Sequence, residues 1–257
     1  MNGARGKLLN RLIHRLRLAH WQKAAERAES MDTPLLRQLR SEVRQVRREI
    51  DRVLETADRR LTLPLIGSNA TRRQYNTDWV WRPNLWRLPI LPVGIAAATS
   101  PADLDLETSL HHNCKNSEVT VRQVRNTRAS DLAPFGLRMD VFRFDGTFMS
   151  LSVKLPEAAV TGLHLGHLVR VDAIIETEKP LEILARLNVR NGPNTAQMVL
   201  ELPRDESEKS VEFDLAYSKI NEKRIDKAWI DLFFEAPDMN QIVLRDISFS
   251  RRPRAKM

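Results

Sequence analysis

Between residues 119 and 249 apolar side chains return at every second position. Val119 and Val121 alternate with Thr120 and Arg122. Leu137, Met139 and Val141 alternate with Arg138, Asp140 and Phe142, and Met149, Leu151, Val153 and Leu155 alternate with Ser150, Ser152 and Lys154. A period of two is the mark of a strand with one face buried. The same pattern recurs at 169–175, 183–189, 196–200, 211–215, 230–234 and 242–249, so nine short strands are expected. Asp145-Gly146 is a hairpin signal between two of them, and Asn191-Gly192-Pro193 is a turn between two others. No long helical segment separates the strands, which argues for an antiparallel β-sandwich rather than a parallel sheet.

The first 60 residues have a different period. From Lys7 to about Ser30, Leu8, Leu9, Leu12, Ile13, Leu16 and Ala19, then Trp21, follow helical spacing with Arg11, Arg15 and Arg17 around the stripe. Two readings suit this helix: residues 7–21 lie on an anionic membrane surface, or the stripe packs on the next helix. The next helix opens at Thr33, an N-cap residue, with Pro34 at its first position. Leu36, Leu39, Val43, Val46, Ile50, Val53 and Ala57 then follow in steps of three and four, a coiled-coil seam. With Leu36, Val43 and Ile50 at a, Glu42 falls at g and Arg47 at e, where they would meet in a parallel homodimer through residues 33–60. An antiparallel hairpin with the first helix would use the same seam.

The expected organisation is therefore mainly β with an α N-terminal arm. It comprises a basic helical arm of two helices (1–60), a connector (61–116), a β-sandwich (117–250) and a short basic tail (251–257). The connector holds Pro64, Pro83, Pro89, Pro92 and Pro101, which break regular structure, and Trp79, Trp81 and Trp86 within eight residues. It reads as an irregular strap packed across the sandwich, the tryptophans either buried there or forming a stacking site for sugar rings or bases.

Charge sharpens this division. The net charge of +8 is +7 in residues 1–60, +1 in 61–115 and zero in 116–257. A neutral main domain argues against nucleic acid as a partner. No run reaches the roughly 18 uncharged apolar residues of a membrane span, and the basic N-terminus lacks a secretory apolar core and cleavage site. A single cysteine, Cys114, excludes an intramolecular disulfide framework. A cytoplasmic protein, peripheral to the membrane if the first helix binds lipid, is the expectation.

The closing strands, Ala228–Glu235 and Ile242–Ser250 with "IVLRDISFS", resemble the end of jelly-roll carbohydrate-binding modules of the galactose-binding-like type. That resemblance covers roughly the last 130 residues and implies a jelly-roll-type sandwich that recognises a saccharide. The whole chain is also similar to an uncharacterised alphaproteobacterial protein family, through "APFGLRMDVFRFDG" and "MNQIVLRDISFSRRPRA". This second resemblance implies no activity and no site residues.

With Ile183, Ala185, Leu187 and Val189 buried, Arg186, Asn188 and Arg190 project outward, and Trp229, Asp231 and Phe233 point opposite to Ile230, Leu232 and Phe234. Planar rings beside arginine, asparagine and aspartate suit a sugar, which stacks its ring and hydrogen-bonds its hydroxyls. These six residues form the candidate ligand face, either exposed or covered by the tryptophan-rich strap. His111, His112 and Cys114 are the one cluster with metal-ligand chemistry. They lack a nearby second pair, distant His164 and His167 being the remaining donors, so no metal and no cofactor are expected. The chain has no phosphate-binding glycine loop, dinucleotide fingerprint, nucleophile elbow or H-E-x-x-H helix, and no catalytic residues are assigned. The expected function is a non-catalytic module that binds a saccharide-like ligand, with a helical arm for oligomerisation or attachment. The alternative is an assembly scaffold that holds another protein, or an anionic membrane, through that arm.

Overall fold

The computed structural model describes residues 15, 17–61, 71, 74–128, 130–204 and 206–254. The chain divides into two compact units, Met1–Asp58 and Arg59–Met257.

In the first unit a helix over 17–28 (α1) turns into α2, Thr33–Leu61. Residues 29–32 leave room only for an antiparallel return, and the amide of Ser30 closes the turn on the carbonyl of Arg27. Trp21, Ala24, Ala25 and Ala28 of α1 line one apolar groove with Leu36, Leu39, Val43, Val46 and Ile50 of α2. The two helices thus form an internal hairpin, yet the groove is open: Val43 is 40% and Ile50 52% exposed, and Val53 faces solvent. Residues 7–14 and 16 of the expected membrane-binding stripe lie outside the described residues.

The second unit is a jelly-roll-type sandwich of two antiparallel sheets. The first sheet runs in the order β11 (Glu208–Asp214), β8 (His167–Thr177), β13 (Asn240–Pro253), β6 (Phe135–Val141), β5 (Val119–Arg125), β2 (Gly94–Ile95), and β1 (Trp79–Trp81) also pairs with β13. The second runs β10 (Asn194–Glu201), β9 (Ile183–Asn191), β12 (Ile225–Phe234), β7 (Met149–Lys154), β4 (Thr108–His112), β3 (Ala102–Asp103). All nine strands read from the period of two are present. Their inner faces meet in one core, with Leu110, Leu151, Leu187 and Leu232 of the second sheet and Met139, Val171, Leu244 and Phe249 of the first essentially inaccessible.

Three local expectations change. Residues 79–112, read as an irregular strap, supply the four short strands β1–β4, and β13 continues through Arg251 and Arg252 into the segment read as a basic tail. Period-two counting misses β1, β2 and β3 because they are too short to alternate, and the five residues of β4 because Thr108, Ser109, Leu110 and His112 are buried without alternation. The tryptophans enter the first-sheet side. Trp81 packs on Phe249 at 5.8 Å, Trp79 stacks on Trp81, and fully buried Trp86 (on α3, Asn84–Arg87) donates its indole N–H to the carbonyl of Leu244. Finally, Asp145-Gly146 is not a hairpin: β6 belongs to one sheet and β7 to the other. The loop crosses between sheets because the Asp145 carboxylate accepts the amides of Lys115 and Asn116, while Asn113 Oδ1 accepts those of Thr147 and Phe148. Glycine is required at 146 by close approach, since a Cβ there would stand 2.6 Å from Asn113 Oδ1. Asn191-Gly192-Pro193 does turn β9 into β10.

A bulge in β13 between Leu244 and Asp246 shifts its parity, so Ile242 and Leu244, then Ile247 and Phe249, all face the core. It aims Asp246 outward at Arg82, and the two buried side chains form a fork of bonds at 2.7 and 2.8 Å. Removing one member of such a pair strands a buried charge. Asp246→Ala is therefore expected to destabilise the sandwich by about 3–5 kcal/mol in urea unfolding, with the double variant Arg82→Met/Asp246→Leu less destabilised than the single one.

Candidate functional site

β9 and β12 are neighbours, and their register sets Trp229 opposite Asn188, Asp231 opposite Arg186 and Lys227 opposite Arg190. Because the odd positions of β9 and the even ones of β12 fill the core, all six expected residues share the outward face of the second sheet. On that face Arg186 bonds Asp231 Oδ2 at 2.8 Å and holds its guanidinium 4.6 Å over the Phe233 ring. The amide of Asn188 donates to the same Asp231 oxygen at 2.9 Å, and its own oxygen accepts from Gln197 at 3.1 Å. Lys227 Nζ stands 5.7 Å from the Trp229 ring centroid. Arg190 reaches Asp226 only at 3.9 Å.

The six residues divide by accessibility. Asn188 is 0% exposed and Asp231 is buried, so their polar atoms are already engaged within the sheet. Trp229, Phe233 and Arg186 are half-buried, and Arg190 is exposed. The strap does not cover this face, for its tryptophans pack on β13 of the other sheet. The sequence reading missed the neighbouring floor. Ser150 and Ser152 of β7 lie opposite Phe233 and Asp231, Ser109 of β4 lies opposite Ser152, and all three are buried although they point away from the core. Their short side chains sit low between Phe233, Arg186 and half-buried His111, whose Nε2 is 3.0 Å from Ser109 Oγ. The signal was the serine alternation along 149–154, from which the strand alone was read.

A model of a family of unknown function, DUF6478, matches residues 1–257. The chain belongs to that family. No curated protein matches it. Solved structures similar to this DUF6478 chain include a family 11 carbohydrate-binding module from Clostridium thermocellum in complex with a β-1,3-1,4-mixed-linked tetrasaccharide. That match has a TM-score of 0.39 at 13% identity and covers 62% of this chain and 96% of that one. The CBM22-1 xylan-binding domain of Paenibacillus barcinonensis Xyn10C matches with a TM-score of 0.35 at 10% identity, covering 63% and 94%. The enzymatically active domain of tailspike protein 4 from bacteriophage CBA120 matches with a TM-score of 0.40 at 9% identity, covering 56% of this chain and 19% of its own.

Elsewhere the strands scatter the histidines. Consecutive His111 and His112 point to opposite faces of β4, and buried His112 donates its Nε2–H to the carbonyl of Ala98 at 2.8 Å. Burial raises the pKa of the Cys114 thiol, which disfavours the thiolate. Among the described residues no three His, Cys, Asp or Glu side chains gather as metal ligands.

The other titratable cluster of the DUF6478 chain lies at the start of β8. His164 and His167 rings stand 3.7 Å apart, with Asp78 3.4 Å from His167 and Arg251 bonded to Asp78. Burial, then the charges of His164 and Arg251, hold His167 below the usual histidine range, outweighing Asp78. Below an unfolded value of about 6.5 the unfolded chain takes up this proton more readily than the folded one. The contribution is thus present above that pH and lost as pH falls through the window down to the folded value. The urea midpoint is expected to fall between about pH 7.5 and pH 5.5, with a shallower fall in His167→Gln.

Proposed function

We propose that this chain is a non-catalytic binding module that recognises a saccharide on the outward face of its second sheet. The observation that carries this reading is the juxtaposition of a half-buried Trp229 ring, left free by the strap, with a pre-set polar network and a low floor of three serines. Sugars present weakly polar ring faces and rows of hydroxyls, and a flat aromatic beside fixed donors and acceptors matches both. Trp229 is the platform, because its lysine neighbour is on a flexible stem, whereas Arg186 is pinned over Phe233 by Asp231. In this reading Arg186 and Arg190 donate to hydroxyls, while Asn188, Asp231 and Phe233 hold Arg186 in place. The carboxylate at the centre of the face, Asp231, is committed to Arg186 and Asn188, which favours binding over acid–base catalysis.

The full chain is expected to bind a subset of a glycan array saturably, and Trp229→Ala to reduce that binding by about tenfold or more, since base- or sugar-type stacking on one ring is worth about 1–3 kcal/mol. Undiminished binding by Trp229→Ala, at unchanged thermal stability, would remove the face from consideration.

A second reading concerns the arm, and the open groove of the helical hairpin favours it. Leu36, Val43, Val46, Ile50 and Val53 are all exposed, Leu39 partly so. A homodimer through 33–60 would cover them and allow Glu42 to meet Arg47 of a second copy, making the protein an assembly scaffold. The exposed Arg15 and Arg17 beside Leu18 suit the alternative attachment to an anionic membrane surface. If the dimer forms, sedimentation equilibrium will give twice the chain mass, and Val46→Asp will return it to one. A wild-type monomer at all concentrations would end the dimer reading.

A further inference from the structure

The Trp229 end of the face brings three basic side chains together around one ring. In the sheet register Lys154 of β7 stands directly opposite Trp229, Lys227 lies two residues before it on β12, and Arg190 of β9 lies opposite Lys227. All three cations are exposed. Among the described residues neither Lys154 nor Lys227 has a carboxylate within 4.0 Å, and Arg190 has only the long, solvated contact to Asp226. Several other cations of the same neutral domain are matched at closer range, as Arg138 is by Asp140, Arg170 by Asp172 and Arg252 by Glu212. Three exposed basic side chains thus surround one half-buried ring, and among the described residues Asp226 is the one carboxylate within 4.0 Å of any of them.

Resting on the saccharide reading above, we infer that the Trp229 end of the face selects an acidic saccharide, one whose ring bears a carboxylate as in a uronic acid. A pyranose ring stacked on Trp229 projects its substituents sideways from the ring plane, toward Lys154 on one neighbouring strand and Arg190 on the other. A neutral sugar leaves three like charges facing one another across the site. A carboxylate relieves their repulsion and gains a charge-assisted hydrogen bond. Lys227 then serves the anion rather than capping the indole. Because these cations are exposed, the selectivity is sensitive to salt.

The test is titration calorimetry of the full chain with a galacturonic acid hexamer and with the same hexamer as its methyl ester, which keeps the rings and removes the charge. At about 50 mM salt the acid is expected to bind about tenfold tighter than the ester, with the gap closing as salt rises. The surface double variant Lys154→Gln/Lys227→Gln is expected to lose that tenfold preference, so that acid and ester bind alike, and poly-glutamate is expected not to compete. Equal or tighter binding of the ester, an unaffected double variant, or competition by poly-glutamate would overturn the inference while the saccharide reading stands. Binding of neither hexamer, with Trp229-dependent binding of neutral glycans on the array, would overturn it alone. Absence of binding to any glycan would overturn both.

Discussion

The closing strand β13 is the member on which the sandwich depends. It takes β8 along one edge and β6 and β1 along the other, and its bulge turns an interruption of the apolar alternation into a docking point. At that point two buried polar links meet the preceding segment: the indole of Trp86 on the carbonyl of Leu244, and Arg82 on Asp246. A third clamp comes from buried Gln123 of β5, whose side chain accepts the amide of Ile90 and donates to the carbonyls of Leu85 and Leu88. Buried polar groups must be satisfied or the fold loses their full desolvation cost, so this set determines where the proline-punctuated segment lies.

The placement of that segment in turn decides the character of the candidate site. Had the three tryptophans needed another apolar surface, Trp229 and Phe233 were available on the second sheet. Instead Trp81 is packed on Phe249 and Trp86 is sunk behind β13, so the tryptophans belong to the first-sheet side and the face bearing Trp229 stays open. Its geometry then follows from register. Opposed positions on β9, β12, β7 and β4 bring Arg186, Asp231, Ser152 and Ser109 into one row across four strands. Arg186 and Asp231 satisfy each other, and Asn188 is enclosed beneath them with its amide on the same Asp231 oxygen.

The helical unit follows a different physics. Two helices alone offer each other one face only, and a seam with apolar residues at both a and d positions has more apolar surface than a single neighbour can cover. The hairpin and the coiled-coil seam, opposed as readings of the sequence, are therefore compatible: α1 lines the same groove as the seam without closing it.

Periodicity alone determined the helical arm, the nine main strands and the alternation that places Arg186, Asn188, Arg190, Trp229, Asp231 and Phe233 on one side of their strands, because side-chain direction in a strand has a strict period of two. The bulge escapes this reading: 242–249 counts as one alternating run, and the slip in parity around Asp246 emerges with the pairing to β8. Tertiary structure alone decided which strand neighbours which, and hence that β6 and β7 part company at Asp145-Gly146, where side-chain bonds to residues 113–116 outweigh a local turn preference. It alone revealed the short strands β1–β4, whose two to five residues are specified by partners far along the chain. It also decided which of the outward residues remain open, since accessibility depends on neighbours that no local pattern records.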